Sequence, residues 1–171
     1  MPRSSTVLLL ALSLVGCGLV AQQPSAEAPR FSDYKAEPAF TGTPAAPQTN
    51  TPNARRFRTV IREGAAKGPN FDGHYTVVEW GCGAACAQFS IVDAVTGKVY
   101  DPPFSGVSFE SADGAFLEDS GIRYKPDSSL MWINGCPGGK DCASWYYVWN
   151  GSELKLLRKD PAKMQRPGRS Q

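Results

Sequence analysis

Residues 144–158 read SWYYVWNGSELKLLR, and the fold turns on how this stretch is read. Asn150-Gly151 is the pair best suited to a tight type I′ turn, which needs left-handed backbone at both central residues. Before it, Trp145, Tyr147 and Trp149 share one face of an extended chain, and Tyr146 and Val148 share the other. A strand that is apolar on both faces belongs inside a sheet, covered front and back. The stretch therefore predicts a hairpin of residues 144–149 and 152–158 whose first strand is central.

Working upstream, strand-like runs recur at short intervals. Residues 74–80 and 87–93 read as strands, and Ala94-Val95-Thr96-Gly97 turns the chain into residues 98–100. Residues 101–120 are rich in Gly, Ser and Asp, with 107–109 and 116–117 as short strands. Residues 122–124 and 130–133 flank the turn-like Lys125-Pro126-Asp127-Ser128-Ser129. Only one helix is expected. Asn53 caps it, Phe57, Val60, Ile61 and Ala65 recur at helical spacing, and Gly68-Pro69 ends it. The fold class expected is mainly β: a small antiparallel meander of about six to eight strands with one N-terminal helix, left open between a rolled sheet, a small sandwich and a propeller fragment.

Composition sets the domain limits. The chain has 171 residues, enough for one domain. All four Trp, five of six Tyr and six of eight Phe fall within residues 54–160, which marks the β-rich globular domain. That region carries 12 Lys/Arg against 13 Asp/Glu, so the basic footprint of a nucleic-acid binder is absent from it. Residues 17–53 hold six prolines and few large apolar side chains, and read as a semi-extended, lipidated tether. The alternative is a segment whose aromatics, Phe31, Tyr34 and Phe40, dock on the domain. Residues 161–171 read as a basic disordered tail.

The N-terminus reads as an address. Arg3 precedes an apolar run from Val7 to Val15, nine residues long and too short to span a bilayer. The run ends in Leu14-Val15-Gly16-Cys17, which resembles the lipobox of bacterial lipoproteins. The resemblance implies a signal peptide over 1–16, removed before Cys17, and a Cys17 that carries acyl chains as its membrane partner. It further implies an envelope location facing the periplasm, with Gly18 favouring the outer membrane of a diderm cell. Cysteine parity agrees independently: five cysteines in an exported chain leave one over, and lipid on Cys17 leaves an even set.

Within the domain, Gly68-Pro69-Asn70-Phe71-Asp72-Gly73-His74-Tyr75, then Glu79-Trp80-Gly81-Cys82-Gly83 and Cys86, resembles a signature of small bacterial envelope proteins. The later Cys-Pro stretch and the Tyr-Tyr-Val-Trp-Asn-Gly hairpin are similar to theirs too, so the likeness spans residues 54–158. That family is uncharacterised in activity, so the resemblance supports the domain and implies no catalytic role.

Four cysteines remain, spaced C-x3-C (Cys82, Cys86) and C-x5-C (Cys136, Cys142). In an oxidising compartment disulfides are the default, and small residues between the members let each near pair close locally. Cys82–Cys86 with Cys136–Cys142 is favoured over crossed pairings, zinc or redox chemistry. His74, the single imidazole, pairs in principle with Glu79 or Asp93 as an acid–base couple. On a regular strand, however, His74 and Glu79 face opposite ways. No nucleophile elbow, phosphate loop or cofactor motif is present. His74, Trp80 and Trp145 are the candidate ligand-binding side chains, together with the stapled loops 81–87 and 137–142.

These readings favour a non-catalytic binding module for an envelope protein or cell-wall glycan, of which a hydrolase inhibitor or immunity-type protein is one version by analogy. The alternatives are a wall-acting enzyme using His74 with Glu79 or Asp93, and a structural spacer. Intact mass of protein extracted from its membrane is expected to give a chain that begins at Cys17 and carries acyl groups. A mature N-terminus anywhere else would remove the anchor.

Overall fold

The computed structural model describes residues 27–165. Cys17 and the leader lie outside the described residues. The described residues form eight strands: β1 (Tyr75–Gly83), β2 (Cys86–Asp93), β3 (Val99–Tyr100), β4 (Val107–Ser108), β5 (Gly121–Lys125), β6 (Ser128–Pro137), β7 (Ala143–Trp149) and β8 (Leu154–Pro161). Every pairing is antiparallel, and all eight belong to one sheet ordered β1-β2-β4-β6-β7-β8, with β3 on β2 and β5 on β6. The mainly β expectation holds, and β7 is interior, between β6 and β8.

The sheet is folded on itself. Alternate residues of β1 and β2 (Tyr75, Val77, Phe89 and Ile91) share one core with Met131, Ile133, Tyr147 and Trp149 of β6 and β7. Rings interlock across it: Trp149 meets Tyr75 and Tyr100 edge-on, each at 5.2 Å between centroids. Such pairs add about 0.5–1.5 kcal/mol each beyond the area they bury. The opposite face of β1–β3 supplies Val78, Val92 and Val99, which pack against Ala54, Ile61 and Ala65 of two short helices. The layers are thus helix, half-sheet, half-sheet.

Three local readings are corrected. The single helix is two, α1 (Pro52–Arg56) and α2 (Arg58–Ala65), broken at Phe57, whose backbone leaves the helical region. The break sets the Phe57 ring 4.8 Å from that of Trp80. The cap is Thr51, whose hydroxyl accepts from Ala54 N at 3.0 Å, and not Asn53, whose amide turns to Asp101 instead. The hairpin after Trp149 is a four-residue connection, because among described non-glycine residues only Asp72, Ala85 and Asp119 have positive φ. Asn150 therefore cannot open a type I′ turn, and its Oδ1 accepts from Ser152 N and Glu153 N at 3.0 and 2.9 Å.

Residues 27–51 lie along the domain as a strap. Ser129 N donates to Tyr34 O, Ala36 N to Asp127 O, Phe40 N to Gly73 O, Ala45 N to Ala94 O and Gln48 N to Gly97 O, all at 2.7–3.1 Å. Low hydrophobicity argues for a free tether, but each strap bond satisfies a polar group on a turn or strand end of the domain. Pro38, Pro44 and Pro47 lower the entropy lost on ordering by restricting the unfolded chain. At the other end Glu118 N donates to Lys163 O, and Gln165 N to Phe116 O, both at 2.9 Å, so residues 161–165 fold back onto the domain.

α2 lies close to β1 at Gly64, where an added Cβ would run into both methyls of Val78. Replacing glycine in a helix normally gains about 1 kcal/mol, whereas overpacking costs about 1–3 kcal/mol. Gly64→Ala is expected to lower stability in urea titrations, and to raise it when Val78→Ala is made in the same chain. A stabilised single variant would mean that α2 stands farther from β1.

Candidate binding cleft beside the stapled loops

The cysteines close as Cys82–Cys86 and Cys136–Cys142. The first pair closes the tip of the β1–β2 hairpin, where Ala85 is left-handed (φ 48°). The second closes the β6–β7 connection, where Gly138 and Gly139 are left-handed in succession (φ 68° and 67°), a path that glycine follows without a Cβ penalty. β4 lies between them, with Cys86 opposite Ser108 and Ser108 opposite Cys136. At the usual strand spacing the two cystines are therefore about 10 Å apart, on one face at one end of the sheet. Each loop is pinned to the β4 region by backbone bonds, Phe109 N to Ala85 O at 2.7 Å and Gly138 N to Gly106 O at 2.8 Å.

Beside this end opens a cleft of about 500 Å³, walled by Arg56 and Phe57 on one side and by residues 102–105 on the other. Its polar groups are positioned by hydrogen bonds. Gln88 accepts from Trp80 Nε1 at 2.9 Å and donates to Ser105 O at 2.7 Å. Asp101 accepts from the Thr51 hydroxyl (3.0 Å), the Asn53 amide (2.8 Å) and the buried Ser90 hydroxyl (3.0 Å). Its carboxylate thus pins α1 to the sheet. Arg56 lies 5.3 Å over Phe57, is exposed, and has no ion-pair partner among the described residues. An open guanidinium on an aromatic face, with amides alongside, suits a ligand with a carboxylate or several carbonyl and hydroxyl groups.

The three side chains expected to bind ligand are not brought together. Trp80 borders the cleft, half-buried against Phe57. His74 lies six residues away at the far end of β1, about 20 Å along the strand. Trp145 is on the inner face of β7, with Nε1 donating to Gly135 O at 3.1 Å and Lys159 Nζ 4.4 Å over its ring. Its neighbourhood is the second stapled loop, through the Lys159–Asp141 pair at 3.1 Å.

The acid–base candidates separate as well. His74 Nε2 is 3.9 Å from Asp93 Oδ1. Asp93 holds the β2–β3 turn, accepting from Val95 N (2.8 Å), Thr96 N (3.3 Å) and the Thr96 hydroxyl (2.6 Å). Glu79 is on the other face of β1, where Tyr124 of β5 donates to its Oε1 at 2.8 Å. Glu79 borders a smaller cleft of about 290 Å³ between α2, β1 and Tyr124. Although the residue reaches solvent, burial pushes its carboxyl up from the ordinary 4.5, offset in part by the Tyr124 bond. Burial, then the neighbouring carboxylate, pushes the Tyr124 phenol up too. Among the described residues no group of three or more His, Cys, Asp or Glu is placed to hold a metal ion.

Arg56, Gln88, Asp101 and Phe104 were not singled out from sequence. The one local signal is Asp101-Pro102-Pro103-Phe104, where consecutive prolines stiffen a loop that carries an acid and an aromatic. No protein-family model, curated protein or solved structure matches this chain. The site is therefore read from its own geometry.

The raised Glu79 carboxyl has a definite sign in stability. Between 4.5 and its higher folded value the native chain binds more protons than the unfolded one, so stability falls as pH rises through that window. Glu79→Gln keeps an acceptor for Tyr124 and removes this loss. The variant's stability relative to wild type is expected to rise in urea titrations taken from pH 4 to pH 7. A pH-independent difference would place the carboxyl at its ordinary value.

Proposed function

We propose that this chain is an envelope lipoprotein, anchored through Cys17, whose domain is a non-catalytic binding module for a protein or cell-wall ligand. The observation that carries the reading is the placement of the two closed loops on either side of β4, next to a cleft held open by Gln88 and Asp101. A disulfide removes loop entropy before any ligand arrives, so less is lost on binding. The cleft supplies an aromatic face, a guanidinium and amides, the groups that hold a peptide carboxylate or a glycan. The acid–base alternative draws on His74 and Asp93, and Asp93 already accepts three hydrogen bonds in its turn.

Cell-wall fragments bearing free peptide carboxylates are the probe to titrate first against the oxidised protein, followed by proteins of the envelope extract. A charge-assisted contact contributes about 1.5–3 kcal/mol, so Arg56→Glu is expected to weaken the bound ligand about tenfold or more. Reduction of the disulfides is expected to weaken it as well, and His74→Ala to leave it unchanged. Binding lost in His74→Ala but kept in Arg56→Glu would move the site to the other end of β1.

A further inference from the structure

β1 is an end strand of the sheet, bonded to β2 along one edge alone among the described strands. The bonds at its start show which of its groups point outward. Tyr75 N donates to Phe71 O at 3.0 Å. Two residues on, Val77 N donates to Asn70 Oδ1 at 2.7 Å and Val77 O accepts from Asn70 Nδ2 at 3.0 Å. The Asn70 amide thus fills this rung with one donor and one acceptor, as a neighbouring strand would. Outward and inward groups alternate along an antiparallel strand, so the N–H and C=O of Glu79 and Gly81 face outward next. Neither backbone has a partner on that side among the described residues. Glu79, Gly81, Cys82 and Gly83 are exposed. Past Asn70 the edge therefore offers two bare rungs about 7 Å apart, and the register shift between Gly81 and Gly83 ends it.

The first bare rung borders the cleft of about 290 Å³ between α2, β1 and Tyr124. Glu63 and Glu79 line that cleft with Lys67, two carboxylates against one ammonium. None of the three is ion-paired among the described residues. We propose that this edge takes an extended peptide of a partner protein as an added strand, its backbone bonded to Glu79 and Gly81 and a Lys or Arg side chain seated in the cleft against Glu79 and Glu63. In docking of this kind main-chain bonds supply affinity, and a pocket for a side chain supplies selectivity. The Cys82–Cys86 bond closes the end of the same strand, so little order remains to be gained when the peptide arrives. A bulge after two rungs and a carboxylate on the first both discourage edge-to-edge pairing of whole sheets, which favours a short basic peptide over a second copy of the chain. The site is separate from the cleft at Arg56 and rests neither on it nor on the Cys17 anchor.

The test selects phage-displayed random heptapeptides on the oxidised full chain, then follows amide exchange with each selected peptide made synthetically. The peptides are expected to carry Lys or Arg and to slow exchange at Glu79 and Gly81 about threefold or more, with Arg56 and Phe57 unchanged. N-methylation of one alternate set of peptide nitrogens should weaken binding about tenfold or more, and methylation of the other set should leave it unchanged. Gly81→Pro removes an outward N–H and spares the β1–β2 ladder, and a Cβ at Gly81 meets nothing within 4 Å. This variant should weaken every selected peptide, and Glu79→Gln should weaken those with Lys or Arg. Unchanged exchange over β6 shows that each variant is folded. Failure to select any peptide that protects Glu79 and Gly81 overturns the proposal, as does equal tolerance of methylation in both sets. Protection that appears without peptide as protein concentration rises puts a second copy on the edge and overturns it too. Peptides that protect Arg56 and Phe57 instead remove the edge site and support the other cleft.

Discussion

The two-residue strand Val107–Ser108 is hydrogen-bonded to β2 on one side and β6 on the other, and among the described strands these ladders alone join the halves of the sheet. Without them the chain would form two hairpin clusters, each with one bare apolar face. Val107 is fully buried, and the approach at this seam is so close that a Cβ on Gly135 would clash with its methyl. Two-residue pairings are weak by themselves, since few bonds offset the entropy of bringing distant segments together. Here both flanks are closed by disulfides, one residue of each lying directly opposite Ser108. The short loops they close stabilise less than long ones would. Their contribution is to hold the ends of β2 and β6 in the register that β4 needs.

The strands were legible in the sequence wherever burial is two-sided or alternation is strict. The run Trp145–Trp149 could pack only as an interior strand, and it does. The errors sit where a side chain chose between local and distant partners. Asn53 looks like a helix cap because its amide can bond the next turn, but Asp101, far along the chain, offers a charged acceptor. Thr51 is left to cap the helix. Asn150 suits a left-handed turn, yet its side chain closes a wider loop by accepting two backbone N–H groups. The strap illustrates the same limit from the other side. Composition says that residues 27–51 bury too little to fold alone, and they bury little here. Their order comes from hydrogen-bonding groups on turns that exist only once the sheet has formed.

The candidate site was half legible. Spacing identifies the closed loops, since cysteines separated by a few small residues can pair locally. That the loops share one end of the sheet follows only from the β4 register. The cleft was out of reach for a related reason. Arg56, Gln88 and Asp101 come from three segments, each with a bland local reading as helix surface, strand residue or loop acid. Trp80 was visible because tryptophan is rare, and Gln88 was not, although the bond between them sets both side chains.

Asp101 ties these levels together. Its carboxylate takes bonds from Thr51 at the end of the strap, from Asn53 on α1 and from Ser90 on β2, while Pro102 and Pro103 carry its loop to the opposite wall of the cleft. The strap has already bonded to the β5–β6 turn, the start of β1 and the β2–β3 turn before it reaches Thr51. A pull on the N-terminal end would therefore load those turns in sequence, beginning beside β8, before it reached the helix. The geometry of the cleft is set within the domain by Asp101 and Gln88. A ligand would accordingly meet walls that bonds inside the domain hold in place, whatever load the strap carries.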